Sequence, residues 1–337
     1  MMRAHDWSST SLGPPSGWPE ALKVAVRLLL TSRFEMWLGW GPDINFLYND
    51  AYRPTLGDKH PKSLGKPTKE LWAEIWDDIK DRLTAVYERG EASWDRGLLL
   101  LLERSGFPEE TYHTFSYSPL IGDDGKVGGV FCAVTEDTVR VITQRRLDTL
   151  RQLAAELSVA DSRATVMGAV ARELAGNPSD IPFALAYLFE DLANGDAVLS
   201  AAAGIEAGSE WAPLKLKLHN SIWDLRRIWE GEESFVVDVS TRGDLPSGAW
   251  ALPPNTVRIK PLLHQGAARP YGALVIALNP HRPFDEDYGG FLKLLAGQIA
   301  AGVAGADAFE AERTRAADLA EAARLRQLAG AAGGDAH

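Results

Sequence analysis

The residues best suited to chemistry in this chain are aromatic and sit in its first third. Trp37, Trp40, Tyr48, Tyr52, Trp72, Trp76 and Trp94 are followed by Tyr112, His113, Phe115 and Tyr117. Aromatic walls with a few polar groups describe a small-molecule pocket, and Asn49, His113 or Ser116 can supply those groups. The same side chains equally suit a filled core, where large aromatics usually go. Nothing else in the sequence makes a catalytic constellation. No Gly-x-Ser-x-Gly elbow, phosphate-binding Gly-x-x-x-x-Gly-Lys-Ser/Thr loop or His-Glu-x-x-His metal motif occurs. The adjacent pairs Asp77-Asp78 and Asp123-Asp124 read as solvated faces or turns, not acid/base dyads. No metal site and no cofactor is predicted, and a small ligand of unidentified chemistry is left open.

Cys132 is the one cysteine, so neither an intrachain disulfide nor a Cys-built zinc site can form, which fits a reducing compartment. The 337 residues carry a net charge of −11, which disfavours a nucleic-acid partner. The apolar run Ala21–Leu30 is interrupted by Lys23 and Arg27, and Leu98–Leu102 is too short to cross a bilayer. The polar, Pro/Gly-rich start does not resemble a secretory signal. A cytoplasmic protein without membrane insertion is expected.

The secondary structure around these residues follows from turn signals and apolar spacing. Ser16 and Pro19 mark a helix start, and Leu22, Val26, Leu29 and Leu30 give that helix a face to bury. Phe34–Trp40 and Ile44–Tyr48, joined at Gly41-Pro42-Asp43, predict a β-hairpin. After a breaker-rich stretch holding Pro54, Gly57, Pro61, Gly65 and Pro67, the spacing predicts a helix over 68–89, with Thr68 as cap and Gly90 as stop. Strands over 93–104, 110–120 and 127–135 follow. A helical stretch over 139–175 leads to strands over 183–189 and 197–203 around an Asn194-Gly195-Asp196 turn. A helix over 221–230, strands over 234–239, 256–265 and 271–278, and a helix from 285 to Leu328 complete the chain, which frays over 330–334. The class is α+β: a five-stranded antiparallel sheet with helices, then a second antiparallel sheet with flanking helices, joined by a long helix.

In that order the residues resemble a PAS–GAF sensory region of bacterial (hybrid) sensor histidine kinases. Leu12-Gly13-Pro14-Pro15-Ser16-Gly17-Trp18-Pro19, Thr31-Ser32-Arg33-Phe34-Glu35-Met36-Trp37, Phe46-Leu47-Tyr48-Asn49-Asp50-Ala51-Tyr52, Leu64-Gly65-Lys66-Pro67 and Thr135-Glu136-Asp137-Thr138 carry the PAS likeness. Gly272-Ala273-Leu274, Phe284-Asp285, Tyr288, Phe291-Leu292 and Gln298-Ile299-Ala300 carry the GAF likeness. The resemblance implies an N-terminal segment with its leading helix over 1–33, a PAS-like sensor domain over 34–138 and a linker helix over 139–160. It continues with a GAF-like domain over 161–304 and a C-terminal helix and tail over 305–337. The family's phosphoacceptor box and ATPase domain do not follow Ala308, so the chain reads as a fragment or as a free-standing sensor acting in trans.

The implied function is that of a sensory and dimerising module of a two-component system, not an enzyme. A ligand or partner cue would pass through Asp137 and Thr138 into the linker helix and on to a kinase or response-regulator partner, in cis or trans. Ile142, Leu147, Leu150, Leu153 and Leu157 recur near heptad spacing and predict the seam of a parallel homodimer, with the Ala-rich helix around Ile299–Leu328 as its weaker second part. The runner-up is a scaffold whose two domains bind only proteins; an enzyme on a GAF fold is the third reading. His60 stands where haem-binding PAS domains can carry an axial ligand, but a lone histidine beside Pro61 reads as a surface residue. Cys132 lacks the flavin-photosensor motif around it. Pro178-Ser179-Asp180-Ile181-Pro182 matches a bilin-GAF signature only superficially.

Overall fold

The computed structural model describes residues 2–191, 195–219 and 222–333, and their side chains as far as Arg326, Asp191 excepted. Asn194 of the expected turn, Ser221 of an expected helix start and Gly334 lie outside the described residues. The chain divides into two compact units, Met1–Thr143 and Gln144–His337. Each is α+β, with its own antiparallel sheet and its own core.

In the first unit, helix α1 (Glu20–Thr31) precedes a hairpin of β1 (Met36–Trp40) and β2 (Asn45–Tyr48). Short helices α2 (Arg53–Leu56) and α3 (Thr68–Leu71) lead to α4 (Trp76–Arg89). Strands β3 (Ser93–Leu102), β4 (Glu109–Ile121) and β5 (Val127–Glu136) close the unit in the sheet order β2-β1-β5-β4-β3. Thr68 does not cap one long helix. Its hydroxyl donates to the Ile44 carbonyl, and a 3-10 turn at Ala73–Ile75 separates α3 from α4. Gly90 ends α4 in the left-handed region, at φ 66°, as a terminator should. At the start of α1, Ser16 lies in a separate 3-10 turn and does not cap. Asp123, from the β4–β5 turn, accepts from the Glu20 and Ala21 amides at 2.9 and 3.0 Å instead. The leading segment contributes Trp7, Trp18, Leu22 and Leu29 to the same core as Trp37 and Phe46.

Helix α5 (Thr138–Leu157) carries the chain from one unit into the next. It stops well short of the expected Ala175. Ser162 and Thr165 form a reciprocal capping box that starts α6 (Arg163–Ala175) afresh. The second sheet, order β8-β7-β6-β11-β10-β9, is built from β6 (Ala184–Asp191), β7 (Asp196–Ala203), β8 (Lys215–Lys217), β9 (Phe235–Asp238), β10 (Thr256–Leu262) and β11 (Gly272–Ala277). Among the described residues of the expected 221–230 helix, Arg226–Trp229 alone is helical, as α7. One sheet face packs on α5, α6 and the long α8 (Glu286–Gly333), and the other on a core around Phe183, Tyr187 and Trp223.

Glu286–Arg326 is long and apolar enough to cross a bilayer by length and composition. Its first half owes that hydropathy to the core, where Tyr288, Phe291, Leu292, Leu295, Ile299 and Val303 are buried. The stretch set apart at 305 is continuous with this helix, and Ala306 still lies in its core.

Leu150 and Leu153, expected in an intermolecular seam, are buried in the core of their own unit with Val166, Met167 and Leu292. Leu157 is partly buried against it and faces Gly302, where an added Cβ would meet Leu157 Cδ2 at 3.1 Å. Ile142 is buried as well; of the five residues only Leu147 is exposed. The near-heptad spacing is therefore that of an amphipathic helix covering its own sheet, a pattern that a coiled-coil seam shares.

Candidate functional site: an aromatic cavity and the polar clamp beside it

Five of the ten pocket candidates line one small cavity in the first unit. Trp37 projects from β1, His113 and Phe115 from β4, Tyr52 from the turn before α2, and Trp72 from the turn before α4. Thr55, Ile75, Ile79, Leu100, Leu102, Tyr117, Cys132 and Val134 complete the wall. The space is about 30 Å3, room for roughly two water molecules. The rings fill most of what the sequence presented as a pocket: Trp37 stacks on Phe46 at 4.9 Å, and Phe115 on Tyr117 at 4.7 Å. Thr55, 2% exposed, has a hydroxyl with no hydrogen-bond partner among the described residues.

The other five candidates lie elsewhere. Trp40 is three residues after Trp37, and alternation puts it on the opposite sheet face. There it packs on Gly128 and Gly129, where an added Cβ would stand 2.8 and 2.7 Å from the indole. Trp94 pairs with Ser116, off the His113–Phe115–Tyr117 face, and is 65% exposed. Trp76 lines a different surface groove with Ile44 and Tyr87. Asn49 is a structural clip: its side chain accepts from the Met36 and Tyr52 amides and donates to the Phe34 carbonyl. The Tyr48 hydroxyl bonds His60 Nδ1 at 2.8 Å, which engages the imidazole within this unit. Burial pushes the Tyr48 hydroxyl up to about 12.

Burial governs the ionisable groups around the cavity. It pushes the His113 imidazole down to about 4, so the ring is neutral at pH 7, with Nε2 bonded to Thr111 Oγ1 at 3.1 Å. It raises the Cys132 thiol, which makes a thiolate nucleophile at this position unfavourable.

Sequence reasoning missed the clamp beside this cavity. Arg104, two residues past the end of β3, grips two carboxylates: Nε donates to Glu109 at 2.9 Å, and Nη1 and Nη2 donate to Glu136 at 2.7 and 2.8 Å. Burial alone would raise Glu136, but the Arg104 and Thr138 hydrogen bonds outweigh it and hold the carboxyl below its ordinary range. Glu35, half-buried nearby, is raised by desolvation first and then by the Glu136 charge, which the Arg104 charge only partly offsets.

From Glu136 the clamp reaches the helix start. Thr138 Oγ1 donates to Glu136 Oε1 at 2.8 Å and accepts from the Tyr112 amide at 3.0 Å. Asp137 accepts from Thr114 Oγ1 at 2.5 Å and from Arg140 Nε at 3.0 Å, and its amide donates to the Tyr112 carbonyl. The hydrogen bonds to Thr114 and Arg140 hold Asp137 below the usual carboxylate range. Two signal-coupling candidates, Asp137 and Thr138, are thus hydrogen-bonded to the strand that carries His113 and Phe115.

Further along α5, within the second unit, Arg145 and Arg146 both donate to Asp180, which is fully buried, at 2.7 and 3.1 Å. The Tyr288 hydroxyl donates to the Asp180 carbonyl, and Arg146 lies 4.2 Å over the Tyr288 ring. Asp180 of the superficial bilin-type run is therefore the buried counter-ion of a helix anchor.

No protein-family model and no curated protein matches the sequence. Solved structures resembling about half of the chain include several GAF domains. The GAF domain of a phosphoenolpyruvate-protein phosphotransferase from Coxiella burnetii is 25% identical, covers 50% of this chain and 98% of that one, and has a TM-score of 0.38. A phycoerythrobilin-bound GAF domain from a cyanobacterial phytochrome is 17% identical, with 48% and 96% covered and a TM-score of 0.36. Free methionine-R-sulfoxide reductase from Neisseria meningitidis, in complex with its substrate, is 18% identical, with 48% and 90% covered and a TM-score of 0.37. Likeness at this level is one of outline; what this chain does is read from its own side chains.

Proposed function

We propose that the chain is a sensory module: a PAS-like unit that receives a cue, followed by a GAF-like unit, with helices as output. One observation carries this reading. His113 and Phe115 line the cavity from one face of β4, while the Tyr112 backbone and the Thr114 side chain hold Thr138 and Asp137. Anything that displaces the cavity wall therefore pulls directly on the first turn of α5. Arg145 and Arg146, two turns on, tie the same helix to Asp180. The expected output is a kinase or response regulator, in cis or trans, and the module is proposed to act as a homodimer.

The small cavity supports a second reading, in which the cue is a protein and no small ligand enters. One experiment separates the two. Ile79→Ala and Phe115→Ala should each enlarge the cavity enough to admit benzene. Benzene should then change amide hydrogen exchange at Val141–Arg146, and adding Thr138→Val should suppress the change. Bound benzene that leaves α5 exchange untouched sinks the small-ligand reading and leaves the interaction-only one.

A further inference from the structure

Many basic residues of this chain meet carboxylates, Arg82, Arg104, Arg145 and Arg146 among them, in a sequence of 46 acidic and 35 basic residues. On the β10–α8 side of the second unit three do not. Arg258 and Lys260 alternate along β10 on the same face as Leu262, and Lys293 lies on α8, which packs over that strand. No ion pair to any of the three is found among the described residues. Arg258 lies 4.0 Å over the Phe284 ring, and its Nε is buried with no hydrogen-bond partner. Phe284 in turn rests on Gly289, where an added Cβ would touch the ring at 3.4 Å. Opposite Arg258 stands Val236 of the edge strand β9, 47% exposed, so this side of the sheet remains open.

Like charges gathered this way oppose folding. Desolvation, then Arg258 and Lys293, lowers Lys260 below the ordinary lysine range, and Glu233 is the one carboxylate whose field offsets this. Desolvation alone lowers Arg258. Such an arrangement is relieved by an anion that accepts from strand and helix together. A guanidinium held over a ring and without a carboxylate partner keeps its terminal Nη donors for the oxygens of an anion. Two ammonium groups add charge beyond what one carboxylate balances, which favours a dianion with several acceptor oxygens.

We propose that Arg258, Lys260 and Lys293 form an oxyanion site that takes a phosphate or phosphomonoester group, Arg258 as the fork and the lysines as point charges. The open β9 side leaves room for the rest of an ester.

Two-dimensional NMR of the whole chain at constant ionic strength, titrated with inorganic phosphate against chloride, tests this. Saturable shifts at Arg258, Lys260, Gly289 and Lys293 are expected with phosphate alone. Affinity should fall at least fivefold in Arg258→Lys, which keeps the charge and loses the fork, and further in Lys260→Gln. A melting temperature unchanged without phosphate shows that each variant is folded. A neutral peptide bearing one phosphoserine forms the second arm: tighter binding than phosphate assigns the site to a macromolecule-borne group, and equal binding to the free anion. Shifts that chloride reproduces, that never saturate, or that persist in Arg258→Lys and Lys260→Gln overturn the site.

Discussion

A neutral imidazole among aromatics links His113 to proton concentration in a direction that can be worked out. Folded, the ring titrates at about 4; unfolded, near its ordinary 6.5. Between those values the unfolded chain binds the proton that the folded chain refuses, so stability falls as pH drops from 6.5 toward 4 and His113 adds no further loss below that. Replacing His113 by Gln removes this contribution. The wild type should lose about 1.5 kcal/mol more than His113→Gln between pH 6.5 and 5, measured by urea unfolding. Equal losses would place the titration on other groups. Arg104 acts the other way. Arg104→Gln leaves Glu109 and Glu136 facing each other in a half-dry site, a loss of about 3 kcal/mol or more at pH 7. Arg104 holds Glu136 below the ordinary carboxylate range, so the stability it supplies is present above that range and lost as pH falls through the depressed value. The difference between wild type and variant should shrink there. A pH-independent difference would mean that Arg104 matters for its packing alone.

At the scale of elements, much of the fold was legible because local signals agree with the tertiary result. The hairpin at Gly41-Pro42-Asp43, the stop at Gly90 and the strands around Asp123-Asp124-Gly125 fall where turn chemistry puts them. The misreadings have separate causes. The break between α5 and α6 was signalled by Ser162 and Thr165, but apolar periodicity running across it hid the cap. The capping of α1 by Asp123 depends on a contact over 100 residues, which no local pattern carries. Trp40 could have been separated from Trp37 by strand alternation alone, whereas the Arg104 clamp needed the sheet register to be seen. For α5 the consequence is testable. Leu150→Glu with Leu153→Glu places two charges in the core of the second unit, where unpaired burial costs several kcal/mol each. The variant should lose the cooperative unfolding of that unit, seen as vanished slow-exchanging amides in β6 and β11. A variant that keeps them and merely changes its oligomeric state would restore the seam to this helix.

For the whole molecule, moving the seam off α5 leaves the distal part of α8 as the remaining helix of the homodimer proposal. From Phe309 to Arg326 every described side chain is exposed, Phe309, Leu319 and Leu325 among them, although the helix runs on unbroken. Most helical stability in proteins comes from packing an apolar face, and among the described residues this stretch packs on nothing. The mixed Ala, Glu and Arg composition permits close approach to a partner with little apolar area per turn, so the association should be modest. The full chain should therefore sediment as a concentration-dependent dimer in the micromolar range, and a chain ending at Asp307 should be monomeric. Asp307 must be retained because it pairs with Arg163 at 2.5 and 2.7 Å. Leu319→Glu with Leu325→Glu should give the same monomer while leaving the slow-exchanging amides of both sheets intact. A shortened chain as dimeric as the full one would move the interface to the domains themselves. A monomeric full chain would end the homodimer proposal.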